Sequence, residues 1–185
     1  MNKFVYRPDI DGIRGLSIIL VLIFHSFPDI LKSGFIGVDI FFVISGFVIS
    51  KLIIRNFQDD TFSFIDFYSR RIIRIFPALI LVLVCTLIFG RLFLFNDEYI
   101  NLAKHVVSSS IFLSNFTLIN ESGYFDKSSL EKPLLHLWSL AIEEQFYILW
   151  PLILLFFLKK NLKNFIFLLI FFIIFTKYYF CLNKA

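Results

Sequence analysis

The sequence predicts an all-α fold, a polytopic bundle of transmembrane helices, and two observations carry this prediction. Hydrophobic residues make up 58% of the 185 residues and 27 residues are Phe, whereas a soluble domain is close to half apolar. The apolar residues also lie in several runs that approach or reach the ~20 residues needed to cross a bilayer. We therefore expect a multi-pass membrane protein with five spans, or six if one weaker segment also crosses.

The apolar runs define the expected spans in chain order. A short first run, residues 16–27, is a retained helix rather than a cleaved signal, because no small-x-small site follows it. Residues 106–119 are apolar but carry three serines and Asn115, so they form either a weak span or an interfacial helix. The other predicted spans are residues 35–54, 76–95, 137–158 and 165–182. Pro77 either kinks or starts the span at residues 76–95.

Basic residues are distributed unevenly around these spans. If residues 96–135 lie outside, the inner segments 1–14, 51–74 and 159–163 hold 11 of the 18 Lys and Arg residues. The positive-inside rule then predicts a cytoplasmic N-terminus.

The net charge of the chain is +4, which in a soluble protein would suggest that it binds nucleic acid. Because these cations flank apolar runs, we expect the lipid bilayer as a partner and no nucleic acid.

Two titratable residues of the first run carry the main functional hypothesis, since charged groups in lipid are costly and mark functional sites. Ten residues separate Arg14 from His25, which places His25 about 16 Å deeper along a helix, near the middle of a ~30 Å core. Arg14 could hold an anionic donor while His25 takes a proton from a hydroxyl. An inside-facing anchor and a polar interhelical contact explain the same residues, and both interpretations stay open here.

Further charged residues have weaker assignments. Asp39, at the outer end of the second span, could pair with an arginine, orient His25, or simply lie at the interface. Asp11 is likewise a candidate substrate or structural residue. No metal site is expected, because the sequence has no Cys or His motif of the required spacing.

Three arginines lie close together in the sequence, Arg70, Arg71 and Arg74. They could form a phosphate-binding patch, because guanidinium groups bind phosphate bidentately, or they could be positive-inside anchors.

Two adjacent carboxylates interrupt the span at residues 137–158. Glu143 and Glu144 follow His136 by seven and eight residues, so Glu143 and His136 are predicted to share a helical face. The carboxylates could shape an acceptor pocket or lock the bundle, and the structural role is favoured for Glu144.

Four sequence blocks resemble one known family, in its order along the chain. They are YRPDIDGIRGLSIILVLIFH at residues 6–25, GFIGVDIFFVISGF at 34–47, YSRRIIRIFP at 68–77 and PLLHLWSLAIEEQFYILWP at 133–151. The blocks resemble the acyltransferase-3 family of membrane-bound O-acyltransferases. That family's signature is an arginine and a histidine with ten residues between them in the first helix, and Arg14 and His25 match both positions.

The resemblance implies a reaction and a location. It implies transfer of an acyl group, usually acetyl, from cytoplasmic acyl-coenzyme A to a hydroxyl of a cell-surface glycan. His25 is then the catalytic base and Arg14 its partner in handling the donor. Acetyl-coenzyme A is a substrate, and no permanently bound cofactor is implied. The implied location is the bacterial cytoplasmic membrane.

The chain departs from the family in length. Members are roughly twice as long and have about ten spans, so we expect residues 1–185 to be the N-terminal portion of an acyltransferase domain, without a separate soluble domain. A separate chain could carry the remaining helices. A half bundle leaves polar groups poorly satisfied in lipid, and we expect it to be inactive alone. Acetyl transfer by the purified 185-residue protein would contradict this.

Two other functions remain compatible with the same residues. One is a non-catalytic transport or flippase-like component, in which Arg14, His25 and Asp39 line a substrate path. The other is a degenerate remnant without activity.

Overall fold

The computed structural model describes residues 7–27, 29–31, 33–121 and 132–159 of the chain. Within these ranges lie six helices and no strand, so the predicted all-α fold is confirmed. The chain divides into two compact units, one formed by Met1–Asp60 with Ile153–Ala185 and the other by Thr61–Leu152. The helices are α1 (Pro8–Ser26), α2 (Ile36–Gln58), α3 (Phe64–Phe93), α4 (Asn96–Ser110), α5 (Ser114–Glu121) and α6 (Leu137–Lys159).

Three of the described helices, α2, α3 and α6, are long and apolar enough to cross a membrane. They correspond to the predicted spans at residues 35–54, 76–95 and 137–158. Helix α1 has 19 residues but carries Asp9, Asp11 and Arg14 in its first two turns, so its apolar part is shorter than a full span. The predicted span at residues 165–182 lies outside the described residues. The transmembrane helical class is therefore confirmed, and the number of spans stays a prediction.

Helices α1 and α2 pack against each other as an antiparallel pair at two glycines. A Cβ atom added to Gly37 would collide with the backbone carbonyl oxygen of Ser17 and lie 2.8 Å from Val21 Cγ2. A Cβ atom added to Gly34 would lie 2.7 Å from Phe24 Cβ. Small residues let helix backbones approach closely in a membrane, where van der Waals packing drives association. The glycines therefore fix the register of α1, which carries Arg14 and His25, on α2.

Replacing Gly37 with alanine is expected to force the α1–α2 pair apart. Because the added methyl group meets backbone atoms that cannot rotate away, we expect a loss of about 1–3 kcal/mol in the free energy of unfolding. The matched control is Gly12→Ala on α1, where an added Cβ meets nothing within 4 Å. The control should be neutral or gain up to ~1 kcal/mol from helix propensity. Unfolding in detergent measures both variants, and equal losses would contradict the assigned contact.

Helix α3 begins earlier than the sequence predicted. It starts at Phe64 rather than near residue 76, because Ser63 caps it by accepting a 3.3 Å hydrogen bond from the backbone N–H of Asp66. Pro77 lies inside the helix, so the prediction that Pro77 starts the span is wrong. Proline interiors are tolerated in membrane helices because neighbouring groups satisfy the freed carbonyl. The basic stretch before Pro77 is therefore helical rather than a loop.

The predicted weak span at residues 106–119 is not one continuous helix. Helix α4 ends at Ser110 and α5 begins at Ser114, and Phe112 between them has a positive φ of 57°, which interrupts a right-handed helix. The side-chain amide of Gln145 donates a 2.7 Å hydrogen bond to the carbonyl oxygen of Phe112 and holds the turn in place. Neither α4, with 15 residues, nor α5, with eight, reaches the ~20 residues of a span.

The second unit is held together by an apolar core and by long-range hydrogen bonds. Tyr68 Oη on α3 donates to the carbonyl oxygen of Ile148 on α6 over 2.9 Å. This bond lies three residues before Pro151, where the helical ladder of α6 loses a donor. The buried core of this unit consists of Leu79, Leu83, Leu102, Phe112, Leu134 and Ala141.

Candidate functional site

The predicted base, His25, lies in the last turn of α1 and is exposed. Its ring nitrogen Nδ1 is 2.8 Å from the carbonyl oxygen of Val21, one turn earlier. Because a carbonyl oxygen can only accept, Nδ1 must carry the proton in this contact. In a neutral imidazole the lone pair then lies on Nε2. The ring is also steadied by an edge contact with Phe24, at 5.1 Å between centroids.

Arg14 and His25 share one face of one uninterrupted helix. Eleven residues at 1.5 Å and 100° per residue separate them by about 16 Å along the axis and about 20° around it. The Arg14 guanidinium lies 5.7 Å from the ring centroid of Phe41, and its Nη1 is 3.9 Å from Asp11 Oδ1, a loose ion pair. Arg14 Nε is buried and has no hydrogen-bond partner among the described residues. Arg14 therefore keeps a donor with which to bind an anion or a carbonyl oxygen.

The packing of α1 on α2 sets the level of His25 within the helix pair. Phe41 lies opposite Arg14, and from Phe41 helix α2 continues for about 26 Å to Gln58 but for only about 8 Å back to Ile36. His25, about 16 Å from Arg14, is therefore at the end of the pair where α1 turns into α2. The expected depth of His25 near mid-membrane stays a prediction.

Asp39 lies in the first turn of α2, as expected for the outer end of that helix. Since Gly37 packs on Ser17, Asp39 is level with about that turn of α1, and roughly 10 Å along the axis from His25. A role of Asp39 in pairing with an arginine or in orienting His25 stays a prediction. One contact that the structure gives to the imidazole is that with the carbonyl oxygen of Val21.

The three arginines of the predicted phosphate patch lie within α3 and have two different environments. Arg70 and Arg74 are exposed and one turn apart, on the same face. The Arg71 guanidinium instead stacks 3.7 Å from the ring centroid of Tyr147 on α6 and 4.8 Å from that of Phe67. The structure thus pairs Arg70 with Arg74 as a surface patch and directs Arg71 into the contact between α3 and α6.

The acidic pair of α6 lies beside Arg71. His136 lies in the turn immediately before α6, which begins at Leu137, so its predicted shared face with Glu143 stays a prediction. Glu143 accepts a hydrogen bond from Tyr147 Oη. Glu144 is 7% exposed, and its Oε1 is buried without a hydrogen-bond partner among the described residues. An acceptor pocket at Glu143 stays a prediction.

One ionic cluster around the buried His105 was not anticipated from the sequence. His105 Nε2 lies 3.0 Å from Glu121 Oε2, and Lys132 Nζ lies 3.1 Å from the same oxygen. The three residues come from α4, from α5 and from the segment before α6, so no fixed spacing or motif could have indicated them. The cluster ties these three segments together. Over the described ranges, no group of three or more His, Cys, Asp or Glu residues could hold a metal ion.

Comparison with known proteins agrees with the family resemblance. The profile of the acyltransferase-3 family, an acyltransferase domain, matches residues 7–185. The chain is 41% identical over 163 residues to the peptidoglycan O-acetyltransferase OatA of Listeria monocytogenes, covering 85% of the chain and 26% of that protein. It is 38% identical over 157 residues to the O-acetyltransferase OatA of Staphylococcus aureus, covering 84% of the chain and 26% of that protein.

A third relative is closer to the chain in length. The chain is 49% identical over 123 residues to an uncharacterized protein of Haemophilus influenzae, covering 66% of the chain and 50% of that protein. The chain thus spans about a quarter of the length of the two acetyltransferases and half of the third relative. No solved structure matches the chain.

Proposed function

The chain belongs to the acyltransferase-3 family, and on this premise we propose that it transfers an acyl group, acetyl first of all, from acyl-coenzyme A to a hydroxyl of a cell-surface glycan. We propose the bacterial cytoplasmic membrane as its location, with the N-terminus inside. The observation that carries the proposal is the placement of Arg14 and His25 on one face of α1, with the Val21 carbonyl setting the tautomer of the imidazole.

In the proposed reaction His25 Nε2 is the general base. It takes the proton of the acceptor hydroxyl as the hydroxyl oxygen forms a bond to the thioester carbonyl carbon. The carbon–sulfur bond then breaks, and the imidazolium returns the proton to the departing thiolate of coenzyme A. Two features of α1 suit this role. The Val21 carbonyl keeps the proton on Nδ1, and the helix C-terminus, one residue after His25, favours the transient positive charge.

Arginines supply the proposed contacts to the donor. Arg14 offers its buried Nε–H and its charge to a carbonyl or phosphate oxygen. In the other unit, Arg70 and Arg74 form a pair of like charges one turn apart, which repel each other unless an anion lies between them. A phosphate of coenzyme A would relieve that repulsion. Arg71 was predicted to join them, but its stacking on Tyr147 favours an indirect role.

Two relatives guide the choice of acceptor, since one is a peptidoglycan O-acetyltransferase and the other an O-acetyltransferase. We propose a glycan of the cell envelope as the acceptor, with peptidoglycan the first to test. Helices beyond the described residues, on this chain or on a separate one, are proposed to complete the bundle.

The test compares cells that carry the intact gene with cells from which it is deleted. Mass spectrometry of envelope glycans should show O-acetyl groups, removable by mild base, that disappear on deletion and return when the gene is restored. An unchanged acetyl content would overturn the proposal. Loss of a whole glycan from the surface, with its acetylation intact, would instead indicate the transport function.

A further inference from the structure

An open groove of about 640 Å³ runs along α4 within the second unit, and we call it the α4 groove. Its volume falls within the range of about 300–1,000 Å³ that is usual for ligand pockets. The lining residues on α4 recur every three or four positions and so form one face of the helix. Those that matter here are Ile100, Ala103, Lys104, Val107 and Ile111. From Ile100 to Ile111 the groove extends about 16 Å along the helix axis.

The walls of the α4 groove are apolar and exposed. Ile100, Val107 and Ile111 are 55%, 62% and 58% exposed, although each is a large apolar side chain. Leu113, just before α5, and Thr117 within α5 also line the groove. An exposed apolar surface of this kind marks a site where a protein meets a membrane or another molecule. The second unit contains α3, which is long and apolar enough to cross a membrane, so the hydrocarbon of a lipid is within reach of the groove.

One cation accompanies these apolar walls. Among the described residues that line the α4 groove, Lys104 alone is charged. Its side chain is exposed, and its Nζ lies 3.5 Å from Asn101 Oδ1, at the limit of a hydrogen bond. A lysine can lay its aliphatic stem along apolar surface while its ammonium group reaches a polar layer. The groove therefore matches a ligand that has a long hydrocarbon chain and a negatively charged head.

A further helix of the chain matches the α4 groove less well than such a ligand. Residues 160–185 contain four lysines and no Asp or Glu. A helix drawn from them would cover Lys104 without supplying an opposite charge. A charged side chain that is buried in a membrane without a partner is costly, whereas an anionic lipid supplies the apolar chain and the charge together.

We propose that the α4 groove binds an anionic phospholipid of the bilayer. One acyl chain lies along Ile100, Val107 and Ile111, and the ammonium group of Lys104 attracts the head group. This lipid site is separate from Arg14 and His25, which belong to the first unit. It does not depend on the proposed acyl transfer.

The test measures lipid binding by the intact protein, purified in a nonionic detergent, with native mass spectrometry. Phosphatidylglycerol, which is anionic, is compared with phosphatidylcholine of the same acyl chains, which has no net charge. We expect phosphatidylglycerol to bind about fivefold more tightly, the usual effect of one basic residue beside an anionic head group. Lys104→Gln should abolish this preference, and Lys104→Arg should keep it. Ala103→Phe places a ring in the groove and should weaken the binding of both lipids.

The matched control is Lys51→Gln, which removes an exposed lysine of α2 in the first unit and should leave the preference unchanged. Equal affinities of the wild-type protein for the two lipids would overturn the inference. So would an equal loss of preference in Lys51→Gln and Lys104→Gln, which would indicate a general effect of charge. A dimer that Ala103→Phe dissociates would instead identify a second copy of the chain as the occupant. Because no transfer is measured, each of these results leaves the proposed function intact.

Discussion

Replacing His25 with alanine is expected to lower acyl transfer by about 10²–10⁴-fold, the usual contribution of a general base, while the variant still inserts into the membrane. The alanine leaves no group at the end of α1 to accept the proton of the acceptor hydroxyl. The helix itself should persist, because alanine has the highest helix propensity and His25 lies in the last turn of α1. The measurement is the O-acetyl content of envelope glycans from cells that carry the changed codon.

The control for His25→Ala is His136→Ala. His136 is exposed in the turn before α6 and has no proposed role, so its replacement should leave acetylation near the wild-type level. Immunodetection of both variants in the membrane fraction separates lost chemistry from lost protein. Wild-type acetylation in cells with His25→Ala would exclude His25 as the base and would remove the main support for the mechanism.

The sequence was sufficient to predict the class of fold and the relation between Arg14 and His25. A long apolar run in lipid forms a helix, because a helix satisfies all of its backbone hydrogen-bonding groups within one segment. The helical period then fixes both the 16 Å separation and the shared face. These are local properties, and a single helix determines them.

The register between helices could not be predicted in the same way. Nothing in the sequence distinguishes Gly34 and Gly37 from other glycines, because their role is to contact α1. The level of His25 along α2 follows from that contact. Packing also places Arg14 opposite Phe41, well inside the length of α2, and no pattern in the sequence indicates that level. The position of a residue along the helix pair depends on tertiary contacts, and these do not recur at a regular spacing in the sequence.

The polar residues of the second unit show the same limit. Adjacent arginines in the sequence suggested one patch, but successive residues of a helix point about 100° apart, so Arg71 turns to Tyr147 while Arg70 does not. The cluster of His105, Glu121 and Lys132 joins three segments of irregular spacing. The helix start at Leu137 depends on turn contacts such as the 3.1 Å bond from Leu135 N–H to the Lys132 carbonyl oxygen. Only the assembled unit reveals these partners.

Replacing Arg14 is expected to produce the second large effect, and it distinguishes donor binding from membrane anchoring. A hydrogen bond to a charged group is worth about 1.5–3 kcal/mol, so Arg14→Ala should raise KM for acetyl-coenzyme A by about 10–100-fold. Arg14→Lys should recover little of this loss. Lysine keeps the charge but has neither an Nε–H donor nor the planar fork of a guanidinium, and the Nε–H of Arg14 is the buried donor without a partner among the described residues.

Arg7→Ala is the matched control, because Arg7 lies just before α1 and pairs with the exposed carboxylate of Asp9, at 2.5 Å. That carboxylate accepts hydrogen bonds from Arg7 and raises the pKa of its guanidinium, but neither residue is buried. Arg7→Ala should therefore leave KM unchanged. Anchoring predicts the opposite pattern for Arg14: lysine would substitute fully, since a positive charge at the membrane edge is all that orientation requires. Arg14→Lys with wild-type KM would thus return Arg14 to the anchor interpretation, even if His25 proved to be the base.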